Sequence, residues 1–133
     1  MFEWKPEYSV QLPEIDTQHK RLFALAAELH AAMSQGKGYS VLEQSLAALV
    51  DYTRVHFADE ERLMAKYHFP YASAHKDQHE KLTAQVLDLQ KKFRAGGATL
   101  SISLMMFLKN WLEHHIAGSD QQYSAYIRGK LAA

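Results

Sequence analysis

The chain has 133 residues, with 15 Lys and Arg balancing 15 Asp and Glu, so it is the size of one domain and lacks the basic excess of a nucleic-acid or anionic-membrane binder. Hydrophobic residues at 47% and charged residues at 23% lie near globular averages and exclude disordered and fibrous classes. The absence of cysteine excludes disulfides, thiolate zinc, cysteine-ligated iron–sulfur clusters and cysteine nucleophiles, and leaves eight histidines as the unusual feature.

The opening Met-Phe-Glu-Trp-Lys-Pro-Glu-Tyr puts acids and a proline where an export signal needs a basic start and an apolar run, so a cytoplasmic protein is expected. The longest near-apolar stretch, Leu104 to Leu108, is far below the roughly 20 residues that cross a bilayer, and no transmembrane segment is expected. Residues 1–15 read as an N-terminal arm. Pro6, Pro13, Gly36, Gly38, Pro70, Gly96 and Gly97 then divide the chain into four segments, about 16–35, 40–67, 71–94 and 99–126. Rich in Ala, Leu, Lys, Glu and Gln, all four predict helices. Asp16 and Ser40 are candidate N-caps, the latter forming a capping box with Glu43. Short connections predict an all-α fold, an antiparallel up-down-up-down four-helix bundle in one domain spanning 1–133.

The inward faces carry polar residues where a core needs apolar ones. The first helix presents His19, Leu22, Phe23, Ala26, Leu29 and Met33. Leu42, Leu46, Leu49, Thr53, His56, Glu60 and Met64 follow on the second, and Ala72, His75, His79, Leu82, Val86, Leu89 and Phe93 on the third. The fourth gives Met105, Leu108, Leu112 and His115. In an antiparallel bundle the start of the first helix, the end of the second, the start of the third and the end of the fourth share one end. His19, His56, Glu60, His75, His79 and His115 all belong there.

Several buried imidazoles and carboxylates without partners cost several kcal/mol each, and a metal ion supplies the compensation. His56 with Glu60, and His75 with His79, have the i, i+4 spacing that sets two donors about 40° apart on one helical face. Asp120 follows His115 by five residues and is off that face in a regular helix, so Gly118 or a loosened turn must bring its carboxylate inward. A lone His-x-x-x-His pair means little among eight histidines. The conjunction of five histidines and two carboxylates at one end of four helices is the signal.

Asp16-Thr-Gln-His19 with Leu22-Phe23, His56-x-x-x-Glu60, His75-x-x-x-His79, and Trp111-Leu112-x-x-His115-Ile116-x-x-x-Asp120 followed by Tyr123 resemble the hemerythrin family, its single-domain bacterial members in particular. The resemblance runs from Trp4 into the fourth helix. The stretch from His79 to His115 is longer than in the invertebrate oxygen carriers, a departure that bears on subunit contacts rather than on the site. A monomer is expected. The resemblance implies a non-haem di-iron centre, with His75, His79 and His115 on one iron and His19 and His56 on the other. Glu60, Asp120 and an oxo or hydroxo group would bridge them. The second iron would keep one open position for dioxygen, the expected partner, and Trp111, Leu112 and Ile116 would line the oxygen pocket. The implied function is reversible dioxygen binding, for storage or for delivery to an oxygen-consuming enzyme, rather than catalysis. Five neutral imidazoles should make further oxidation harder than the glutamate-rich sites of di-iron oxidases do.

Two other readings stand beside this one. One is a di-iron oxidoreductase acting on peroxide or nitric oxide; the other is an oxygen or iron sensor, which the lack of an attached output domain disfavours. Imidazole and carboxylate also accept manganese or mixed metals. His114 is expected to point about 100° away from His115, and His30 and His68 to stand outside the site. Asp59 and Glu61, flanking Glu60, are expected on solvated faces. Tyr123 is read equally as a hydrogen-bond donor to a bridging carboxylate and as packing. Met105 and Met106 read as core.

Overall fold

A computed structural model describes residues 2–96 and 100–132. Four helical rods form an antiparallel up-down-up-down bundle. The first three are α1 (Pro13–Ser34), α2 (Tyr39–Lys66) and α3 (Ala72–Arg94). The fourth is composite: α4 (Leu100–Trp111) continues through a π-helical segment (Leu112–Ser119) into α5 (Asp120–Ala132). Among the described residues there is no strand, and no helix is long and apolar enough to cross a membrane.

Several boundaries differ from expectation. α1 starts at Pro13, whose missing N–H costs nothing in a first turn, so Asp16 is inside the helix rather than its cap. Asp16 instead reaches back to the arm, accepting from Ser9 Oγ at 2.5 Å and from the Val10 N–H at 2.8 Å. Gly38, not Ser40, caps α2, and no side chain bonds the cap. Glu43 is drawn away from the expected capping box by Arg94, whose Nη2 lies 2.6 Å from Oε1. α1 closes at Gly36, whose φ of +66° is the left-handed conformation that glycine adopts without a Cβ clash. The expected break at Gly97 and helix start at 99 lie outside the described residues. The fourth rod runs six residues past its expected end at 126.

Two apolar clusters divide the interior. The larger includes Leu22, Leu29, Leu46, Leu49, Phe57, Val86, Leu108, Leu112 and Ile116; the smaller, at the opposite end, consists of Met64, Phe69, Tyr123 and Ile127. Along α2, α3 and the fourth rod the inward polar residues fall between the two clusters, so the polar layer is sealed from above and below. Met105 is buried as expected, but Met106 is 55% exposed and is not core.

The arm is a packed strap. Its Pro6–Tyr8 turn brings Tyr8 to stack on Phe23 with ring centroids 5.2 Å apart. Gln121 Nε2 and Arg128 Nη1 of α5 donate to the carbonyls of Ser9 and Val10 at 3.1 and 3.2 Å. The arm thereby ties α1 to α5. Asp16→Ala is expected to lower stability by about 1–2 kcal/mol by removing two part-buried hydrogen bonds. The check is a lower urea midpoint with an unchanged slope.

Candidate metal centre

His19, His56, Glu60, His75, His79, His115 and Asp120 come from α1, α2, α3 and the fourth rod, and each is at most 6% exposed. Their donor atoms form two overlapping groups, within each of which they lie within 4.8 Å of one another. One group contains His75, His79 and His115 with Glu60 and Asp120. The other contains His19 and His56 with the same two carboxylates. The helical spacing of each pair puts its members on one face, and the antiparallel order brings those faces to one level.

The fourth rod reaches this level through its wider turn. The Asp120 N–H donates to the His115 carbonyl, an i→i+5 bond that places residues five apart on one face. Asp120 Oδ1 then lies 3.1 Å from both His115 Nε2 and His75 Nε2, and Oδ2 lies 3.1 Å from His19 Nε2. Gly118 is not what permits this, since a Cβ there would meet no atom within 4 Å. The π register, not the glycine, turns the carboxylate inward.

Glu60 Oε1 lies 3.0 Å from His56 Nε2 and 3.5 Å from His79 Nε2. These are hydrogen-bond lengths, yet all four carboxylate oxygens of Glu60 and Asp120, and Nε2 of His19, His56 and His75, have no hydrogen-bond partner. His79 and His115 bring their Nε2 atoms to 3.2 Å, where two neutral lone pairs repel unless one carries a proton. Lone pairs crowded together and unsatisfied in a dry layer need a cation, and the buried donors fit a metal site. Nitrogen and oxygen donors without thiolate suit a first-row transition metal.

The electrostatics of the metal-free layer agree. Burial pushes the Glu60 carboxyl upward, as does the Asp120 charge, but the His56 and His79 imidazoles outweigh both and hold it below the ordinary range. Asp120 is likewise held well below its ordinary value: His115, His19 and His75 overcome its burial. Burial opposes charge on His56 and His115, yet Glu60 beside the first and Asp120 beside the second raise both above the ordinary 6.5. His79 goes the other way, because its burial outweighs the pull of Glu60.

A match to the family model described as Hemerythrin HHE cation binding domain covers residues 11–127. The chain belongs to the hemerythrin family. A bacteriohemerythrin of Methylococcus capsulatus is 37% identical over 117 residues, 88% of each chain. One from Stenotrophomonas maltophilia is 34% identical over 128 residues, 96% of this chain and 82% of the relative. A crystal structure of wild-type hemerythrin superposes with a TM-score of 0.85 at 35% identity, covering 92% of this chain and 95% of that one.

Around this hemerythrin layer stand residues that the helical stripes did not single out. Phe57 stacks face to face on His79, centroids 3.8 Å apart and planes 3° apart, and turns an edge to Trp111 and His115. It directly follows His56, one position off the stripe, and only its aromatic bulk hinted at a role. Asp59 and Glu61 are not simply solvated: Asp59 accepts from Gln18, and Glu61 Oε2 lies 3.7 Å from His79 Nδ1. Tyr123 is wholly buried, its hydroxyl unpaired and its ring edge-on to His75. Burial, with Glu60 and Asp120 nearby, raises its pKa far above the ordinary value and keeps the phenol protonated. His114 is exposed and bonds the Asn110 carbonyl at 2.8 Å, His68 is in the exposed turn after α2, and His30 packs against Phe2, all outside both donor groups.

Metal loading is expected to raise the melting temperature, with about 2.7 kcal/mol of stabilisation at one hundred times the dissociation constant. His79→Ala should hold fewer than two ions per chain; two ions at wild-type affinity would remove His79 from the donor set. Protons compete with metal for imidazole nitrogen. Because Glu60 and Asp120 make His56 and His115 hold protons more tightly than usual, metal affinity should fall steadily on acidification, as followed with a chromogenic chelator.

Proposed function

We propose that this hemerythrin-family chain is a cytoplasmic, single-domain protein that binds dioxygen reversibly at a di-iron centre, to store oxygen or deliver it to an oxygen-consuming enzyme. His75, His79 and His115 would hold one iron, His19 and His56 the other, and Glu60 and Asp120 both. The observation that carries the reading is the unequal division of donors. Two groups share both carboxylates but split five histidines three to two, so one side has a protein donor fewer, the position a small ligand would take. Two ferrous ions held there would supply the two electrons needed to bind dioxygen as peroxide.

The chain's own groups favour reversibility over onward oxidation. Trp111, Leu112 and Ile116 are buried in the larger apolar cluster beside the layer and would keep water from the ligand. Phe57 limits rotation of the His79 ring against which it stacks. Tyr123 retains its proton near Glu60, so it can donate a hydrogen bond there but does not act as a base. Five neutral imidazoles leave the layer less anionic than a glutamate-rich site.

The test is the visible spectrum of iron-loaded protein, reduced without oxygen, exposed to air and then deoxygenated. A charge-transfer band that appears in air and disappears on deoxygenation is expected. Irreversible conversion to a ferric spectrum would replace the carrier reading with redox chemistry or sensing. Leu112→Ala, which removes a fully buried side chain, should speed autoxidation severalfold while costing about 2–5 kcal/mol of stability. An unchanged rate in the folded variant would show that Leu112 does not exclude solvent.

A further inference from the structure

Outside the seven inward donors, a polar chain runs from the surface to the back of one imidazole. Arg62 Nη2 donates to Asp59 Oδ1 at 2.6 Å, Gln18 Nε2 donates to Asp59 Oδ2 at 3.0 Å, and His56 Nδ1 lies 2.6 Å from Gln18 Oε1. The path leaves α2 at Asp59, crosses to Gln18 on α1 and returns to α2 at His56. The two ends of a glutamine amide are nearly alike in shape but opposite in hydrogen bonding, and an ionised carboxylate only accepts. Asp59 therefore commits the Gln18 nitrogen, the Gln18 oxygen must face His56, and His56 Nδ1 must donate. A neutral imidazole has one ring proton, so when His56 is neutral its proton is on Nδ1 and the Nε2 lone pair, on the Glu60 side, is free for a metal.

We propose that Gln18 and Asp59 are a positioning pair that fixes the ring orientation and tautomer of His56 for metal binding. This rests on the reading of His56 as a donor to the two-histidine side. The pair also makes the two halves of the centre unequal. The outer nitrogen of His56 bonds a neutral amide, whereas that of His79 faces the Glu61 carboxylate at 3.7 Å. A carboxylate behind an imidazole raises its basicity more than an amide does, so exchanging the amide behind His56 for a carboxylate makes that ring a stronger electron donor.

The experiment titrates chelator-stripped full-length protein with Co²⁺ alone, following visible absorption and equilibrium dialysis, with far-ultraviolet circular dichroism as the folding control. Wild type should take two ions. Gln18→Leu should weaken one of them roughly 10–100-fold and leave the other unchanged. Gln18→Glu alone sets a second carboxylate against Asp59 and should also weaken that ion. Gln18→Glu combined with Asp59→Asn restores the pattern, since the new amide at 59 can donate to the new carboxylate at 18. That double variant should recover the affinity and, loaded with iron, show a lower midpoint potential than wild type, a shift that packing alone does not produce.

Wild-type affinity for both ions in Gln18→Leu, equal weakening of both, or no rescue by the double variant overturns the proposal. If Gln18→Leu does not fold, the comparison of Gln18→Glu with the double variant decides the matter alone. Fewer than two Co²⁺ ions in wild type would instead mean that the paired-metal reading itself has failed, and the positioning role with it.

Discussion

Glu60 and Asp120 are completely buried, and each faces imidazoles from more than one helix. Asp120 alone draws together His19 of α1, His75 of α3 and His115 of its own rod. Stripping partners from a buried charge costs about 3–5 kcal/mol, so the two carboxylates can both be satisfied only when all four rods arrive in register. An apolar core tolerates small slips between helices. This layer does not, because its groups are polar, directional and out of reach of water. Much of the architecture can be understood as keeping two buried carboxylates supplied with positive or donor partners.

Each apolar cluster does a different part of that work. The larger supplies burial area and sets Phe57, Trp111, Leu112 and Ile116 against one side of the polar layer. The smaller closes the other side with Met64, Phe69, Tyr123 and Ile127. The arm then fastens α1 to α5, the elements that carry His19 and Asp120. That strap stabilises the longest-range part of the site without contributing a donor to it.

The four rods and six of the seven inward polar residues, all but Asp120, were legible because long amphipathic helices expose their periodicity and because polar residues in a core stripe have few explanations. Three features were not legible. The π register between Leu112 and Ser119 has no local signature in Leu-Glu-His-His-Ile-Ala-Gly-Ser; only the demand that Asp120 turn inward pointed to a widened turn, and Gly118 drew attention that the geometry does not support. Asp59 sits about 100° from Glu60 and reads as solvated until α1 brings Gln18 beside it, a neighbour 41 positions away. The caps failed because tertiary partners won: Asp16 is taken by the arm and Glu43 by Arg94.

The distribution of donors along the chain has a consequence for biosynthesis. His19, His56, Glu60, His75 and His79 leave the ribosome before the fourth rod, whereas His115 and Asp120 come near the end. A nascent chain that stops short of Asp120 has imidazoles from three helices but only one of the two shared carboxylates. Tight metal capture by the full donor set would therefore await the fourth rod and the docking of the arm upon it. Any metal the layer takes would thus be committed to a chain able to enclose it, and prematurely ended chains would be left with incomplete, weakly holding sites.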